Sequence, residues 1–235
     1  MLMAAFGGIS GNLPALNAVL KEIEDAGIQT IAIAGNLVVG YPWANEVVQR
    51  IQSKRVQTVQ GELDRLAVRS RRKGESLKSR VDPAVFEATE WTHQATFSRN
   101  LEYLGTLPKK KVFTVEGLSV CLCHGTPATQ SERLRAEDDE HRFRRQREYA
   151  NVHIVILGGG RQPFWRLVDD TLFVNPGCAG LWDGEKPTAC YATISTEGSP
   201  WSVQFNHVPY SMTDLAEKLD EANLEAPWLL SDEYV

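Results

Sequence analysis

Six times along this chain a short apolar run gives way to a turn made of glycine and small polar residues. The turns are "GGISGN" (Gly7 to Asn12), "AGNLVVG" (Ala34 to Gly40), "QGELD" (Gln60 to Asp64), "CHGTP" (Cys123 to Pro127), "GGGRQPF" (Gly158 to Phe164) and "NPGCAG" (Asn175 to Gly180). After the first turn, Leu13, Leu16, Val19, Leu20 and Ile23 recur at helical spacing, with Asn12 as a cap, Pro14 in the first turn and Gly27 as a stop. "TIAIA" (Thr30 to Ala34) reads as a buried strand, "ANEVVQRIQSK" as a second helix and "VQTVQ" (Val56 to Gln60) as a third strand. Strands and helices alternating in this way predict right-handed βαβ units and a largely parallel sheet. Ligands of such sheets bind outside the carboxyl ends of the strands. Glycine there allows close backbone approach, and a following helix N-terminus favours anions.

Farther along, "RLAVRSRRKGESLKSR" (Arg65 to Arg80) turns polar and basic and reads as a solvated excursion. Asp82 to Pro108 reads as two helices, the second opened by Ser98, and a hairpin follows with its turn at Gly117. "ERLRAEDDEHRFRRQRE" mixes both signs of charge and reads as an exposed helix or loop. "VHIVIL", "TLFVN", "ACYATIS" and "WSVQFNHV" are four further strands. Ser211 with Asp214 resembles a capping box before a closing helix carrying Met212, Leu215 and Leu219. Parallel units followed by strand meanders predict two packed sheets flanked by helices, within one domain over residues 1–235.

Several partners are set aside on composition. A formal net charge of −5 argues against a general nucleic-acid binder, which needs a basic face. The apolar runs fall far short of a membrane span, and "MLMAAFGG" lacks the basic start of a signal peptide, so it reads as the first strand. Cys121, Cys123, Cys178 and Cys190 read as buried free thiols of a reducing cytoplasm, with Cys121 and Cys123 on one strand face.

In their order the turns resemble the motifs of the calcineurin-like metallophosphoesterase family, in particular its small single-domain bacterial and archaeal branch. That family's motifs run Asp-x-His-Gly-Asn, Gly-Asp, Gly-Asn-His-Asp/Glu, His-Gly, Gly-His-x-His and Asn-Pro-Gly-Ser. The corresponding residues here are "GISGN" (Gly8 to Asn12), "GN" (Gly35–Asn36), "GELD" (Gly61 to Asp64), "HG" (His124–Gly125), "GGGR" (Gly158 to Arg161) and "NPGC" (Asn175 to Cys178). Pro163-Phe164 and "WDGEKPTACYA" (Trp182 to Ala192) also look like the small branch. The resemblance implies a four-layer α/β/β/α sandwich of two mixed sheets.

It also implies a pair of divalent metals held by two Asp, four His and one Asn. The matching positions here are Gly8, Ser10, Asn36, Glu62, His124, Gly159 and Arg161, so only His124 keeps its identity. The family's leaving-group His falls at Leu63, while Asn12, Asp64, Asn175 and several glycines of the framework persist. A two-metal site needs a bridging carboxylate and imidazole donors. Asn36 is a poor bridge, Gly8 and Gly159 have no side chain, and Arg161 repels a cation but suits a phosphate or carboxylate. The expectation is a degenerate, catalytically impaired member without a dinuclear site or cofactor. Its former cleft is expected to bind a small anionic or phosphorylated molecule through Ser10, Asn36, His124 and Arg161. One alternative keeps phosphoesterase activity on a single metal held by Glu62, His124 and Asn36. Another makes the chain an interaction protein with a vestigial cleft. Arg161 has its own alternative, an internal ion pair with Glu62 or Asp64.

Overall fold

The computed structural model describes residues 1–78, 81–181, 186–197 and 201–228, with the side chains of 71–78 left aside. Trp182 to Glu185 of the "WDGEKPTACYA" stretch, and Ser79 and Arg80 at the end of the basic segment, lie outside the described residues.

β1 (Leu2–Phe6) and β2 (Thr30–Ile33) pair in parallel, and β3 (Gln57–Thr58) adds to β2. The connections are helical, as the apolar spacing predicts. In α1 (Leu13–Asp25) the stripe Ala15, Leu16, Val19, Leu20 and Ile23 is buried, and Asn12 Oδ1 accepts from Ala15 N at 3.1 Å as the N-cap. α2 (Ala44–Gln52) buries Val47, Val48 and Ile51. Later strands complete the first sheet by antiparallel pairing: β9 (Thr188–Ser195) joins β1, and β10 (Ser202–Pro209) joins β9. The second sheet runs β4 (Lys110–Val115), β5 (Leu118–Cys123), β6 (Ile154–Ile156), β8 (Thr171–Asn175) and β7 (Phe164–Val168) across. Each sheet has five strands of mixed direction.

Strand alternation sorts the side chains into layers. Met3, Ala5 and Ala32 face Val120, Leu122, Ile154, Ile156 and Val174 between the sheets. Ala4, Phe6 and Ile33 face the helices on the outer side of the first sheet. Cys121, Cys123, Val155 and Phe173 pack on the other outer side with Phe143 of α6 (Glu140–Arg147). The result is the expected four-layer α/β/β/α sandwich. All four cysteines are buried and free, and Cys121 and Cys123 share a face. No described helix is long and apolar enough to cross a membrane.

Three expectations need correction. The segment from Arg65 is the body of a helix, α3 (Glu62–Lys78), rather than a solvated excursion. Leu63, Leu66, Ala67 and Ser70 are buried at helical spacing, and the helix packs on α4 (Pro83–Ala95) and α5 (Ser98–Thr106). β7 adds a fifth strand to the four expected after the hairpin, at the sheet edge; its central Arg166 breaks the apolar pattern and lies 4.9 Å over the Phe143 ring. The capping box at Ser211 does not form. α7 (Leu215–Glu221) starts after Asp214, which makes no side-chain cap bond, and Ser211 Oγ accepts from Thr213 N instead.

Candidate functional site

At the carboxyl ends of the strands the glycine turns interlock through backbone bonds. Gly8 N donates to Gly35 O (3.0 Å), Ser10 N to Asn36 O (2.9 Å) and Gly11 N to Leu37 O (2.8 Å). Ala179 N and Gly180 N reach back to Gly7 O and Gly8 O, each at 2.9 Å. Ser10 (φ 55°) and Asn36 (φ 52°) occupy the left-handed region, a strained conformation for residues other than glycine. Ser10 Oγ is buried and makes no hydrogen bond among the described residues.

Asp64 ties the second and third turns together. Its Oδ1 accepts from Leu37 N (2.8 Å) and Val38 N (3.1 Å), and its Oδ2 accepts from Gly61 N (2.8 Å). Burial pushes this carboxyl up to about 6, although the surrounding backbone amides pull the other way. Asn36 Oδ1 accepts from Leu63 N at 3.0 Å, in the first turn of α3. The oxygen that a bridging role would need is thereby holding a helix end.

His124 is fully enclosed. Its Nδ1 lies 2.8 Å from Ala34 O, which only accepts, so Nδ1 carries the proton and Nε2 the lone pair. Burial, followed by the charge of Arg133, holds its pKa down to about 3, so the ring is neutral. Its Nε2 lone pair faces the Arg133 guanidinium: Nη2 lies 3.4 Å from it and 3.3 Å from Glu62 Oε2. Glu62 also pairs with Arg65 Nη2 at 3.2 Å.

Arg133 is the residue that sequence reasoning missed. A Cβ built on Gly159 (φ +72°) would stand 2.0 Å from Arg133 Nε, so the guanidinium arm runs through the volume a side chain at 159 would need. The Gly8 position is filled in a similar way: its Cβ would stand 2.7 Å from Cys178 Sγ, which donates to Gly8 O at 2.9 Å. Arg133 is delivered by the loop after β5, pinned at Glu132. That carboxylate accepts from Thr126 Oγ1, Gln146 Nε2 and Arg145 Nη2, each at 3.1 Å. The mixed-charge segment expected to be an exposed helix or loop therefore reaches into the site. The one sequence signal for this is the empty position at Gly159, which a buried site must fill.

Ser10, Asn36, Glu62 and His124 thus come together. Arg161 follows Gly159 in the same turn, its carbonyl 2.9 Å from where a Cβ on Gly177 would be and its charge acting on Tyr41. Burial raises the Tyr41 phenol to about 12, with Cys178 adding to the rise and Arg161 opposing it. Arg133, a cation that sequence reasoning did not name, lies beside both Glu62 and His124.

Residues 1–199 match the sequence profile of the calcineurin-like phosphoesterase superfamily domain. The chain belongs to that superfamily. It is similar to the uncharacterized protein MJ0912 of Methanocaldococcus jannaschii, 29% identical over 126 residues, a match covering 54% of this chain and 50% of that protein's length. The fold resembles the hypothetical protein PH1004 from Pyrococcus horikoshii OT3 (TM-score 0.84, 20% identity, covering 95% of this chain and 94% of that one). It also resembles a metallophosphoesterase from Sphaerobacter thermophilus (TM-score 0.73, 22% identity, 95% of each chain).

The residues present do not suit the two divalent metals that the motif resemblance implies. Two of the seven positions are glycines whose side-chain volumes are taken by Cys178 and Arg133. The oxygen of Asn36 and the lone pair of His124 already face N–H donors. Among the described residues, no group of three or more His, Cys, Asp or Glu could hold a metal ion.

Proposed function

We propose that this chain is a metal-free member of the superfamily that binds a small anionic or phosphorylated molecule at the strand-end edge without hydrolysing it. The observation that carries this reading is the Arg133 guanidinium, which occupies the side-chain volume of Gly159 and is set against Glu62 and His124. A fixed cation offers N–H donors to the same carboxylate and imidazole that would otherwise face a metal. It supplies no hydroxide nucleophile and no Lewis acid, which two-metal hydrolysis requires. Ser10 Oγ, buried without a partner among the described residues, supports a ligand that completes its hydrogen bonding, since an unmet polar group costs about 1–3 kcal/mol. Asn36, His124 and Arg161 frame the same edge. Four buried free thiols agree with a cytoplasmic setting.

Two measurements on one preparation test this. Hydrolysis of bis(p-nitrophenyl) phosphate with added manganese is expected to stay at the no-enzyme rate. Inorganic phosphate is expected to raise the melting temperature more than chloride at equal ionic strength. Metal-dependent turnover, or no difference between the two salts, overturns the reading.

A further inference from the structure

Next to Arg133 lies an open hollow of about 430 Å³. Its walls include Arg65, Lys109, Lys110, Thr129, Gln130 and Ser131, and none of its lining residues is acidic. Arg65 is shared with the site already described through its pair with Glu62. Gln130 is shared as well: its carbonyl accepts from Arg133 and its Nε2 donates to Gln60 O at 2.6 Å. Around this place Glu62 is set among Arg65, Arg133, Lys109 and Lys110, while Glu132, bonded to the lining Thr126, is paired with Arg142 and Arg145, in a chain whose net charge is −5. Concentrated positive potential on an acidic protein is a focusing device for anions.

Two of the cations are also held in place, Arg65 by its pair with Glu62 and Lys110 by backbone carbonyls. Lys110 Nζ donates to Pro127 O at 3.1 Å and Tyr149 O at 2.9 Å, which fixes its ammonium against the wall. The hydroxyls of Thr129 and Ser131 lie 3.3 Å apart and add donors at the rim. The lining has no aromatic ring on which a nucleobase would stack. The volume falls within the range of small-ligand sites.

We propose that this hollow binds a compact polyanion, a small molecule bearing two or more phosphoryl groups, with Arg65, Lys109 and Lys110 as its charge partners. The inference rests on the anion-binding reading above and adds a charged place for the anion in the loop beside the strand-end edge. Polyphosphoryl charge is favoured over a single phosphate because Arg65, Lys109 and Lys110 offer separate points of positive charge along one lining.

Calorimetric titration with inorganic pyrophosphate at low salt, without added divalent metal, tests it. The wild type is expected to bind pyrophosphate more tightly than orthophosphate, and the exposed Lys109→Glu change to weaken pyrophosphate about tenfold or more. Lys21→Glu on α1, an equal change in net charge, is expected to leave it unaltered. Equal losses in both variants mean attraction by overall charge alone and overturn the inference. Loss in Arg161→Ala with none in Lys109→Glu puts the anion in the old cleft, overturning this site while sparing the function proposed above. No binding of either anion by the wild type ends both.

Discussion

Arg133 and Gly159 share one volume: the Nε of the arginine lies 2.0 Å from the point where a Cβ on the glycine would stand. A side chain at 159 and the Arg133 guanidinium in its present place are therefore alternatives. Replacing Gly159 by His is expected to destabilise the protein by about 3 kcal/mol or more, through overlap and the left-handed backbone together. In the Arg133→Ala background the overlap is gone, and a cost of about 1–2 kcal/mol from the positive φ remains. Urea unfolding of the two single variants and the double variant checks this. Additive costs would show that the two residues do not compete for space.

Gly8 and Cys178 stand in the same relation on a smaller scale. Gly8→Ala places a Cβ 2.7 Å from Cys178 Sγ at φ +59°, but 3.4 Å from Cys178 Cβ, which is ordinary contact. Gly8→Ala is expected to cost about 2–3 kcal/mol in the wild type and measurably less in Cys178→Ala. Equal costs in the two backgrounds would contradict a filled position.

Most of the fold could be read from the sequence because its signals are local. The α1 stripe, the Asn12 cap and the hairpin turn at Gly117 each lie within a few residues of what they determine. α3 was hidden because its buried residues are few among many charges, and β7 because Arg166 interrupts its pattern. The site was legible in part. Motif positions located Ser10, Asn36, Glu62 and His124, which share the strand-end edge. They also pointed to Arg161, since a substitution is visible only at its own position. Arg133 comes from a loop outside every motif, and its place depends on Glu132 anchoring to Thr126, Arg145 and Gln146. Tertiary contacts of that kind leave no local pattern.

Two buried ionisable groups of the site, His124 and Asp64, predict an unusual pH dependence. His124 is held at about 3, below its ordinary 6.5, so its contribution to stability is complete above pH 6.5 and is lost as pH falls toward 3. Asp64 is raised to about 6 from 3.8, so its contribution is complete below pH 3.8 and is lost as pH rises through 6. Between roughly pH 4 and 6 the two oppose each other, one proton against one proton. Asp64→Asn removes one side of the balance. Its stability is expected to fall on acidification through that window about 1.4 kcal/mol per pH unit more steeply than the wild type's. His124→Asn is expected to change the slope in the opposite direction. Parallel curves for all three proteins in chemical denaturation would contradict the assigned ionisation states.

The central claim is that a guanidinium, rather than a metal, faces Glu62 and His124. Elemental analysis of the purified wild-type chain, equilibrated with manganese or zinc and then desalted, tests this most directly. The account predicts well under one transition metal per chain, with Arg133 still in place. About two metals per chain, the stoichiometry of a two-metal hydrolase, would contradict it.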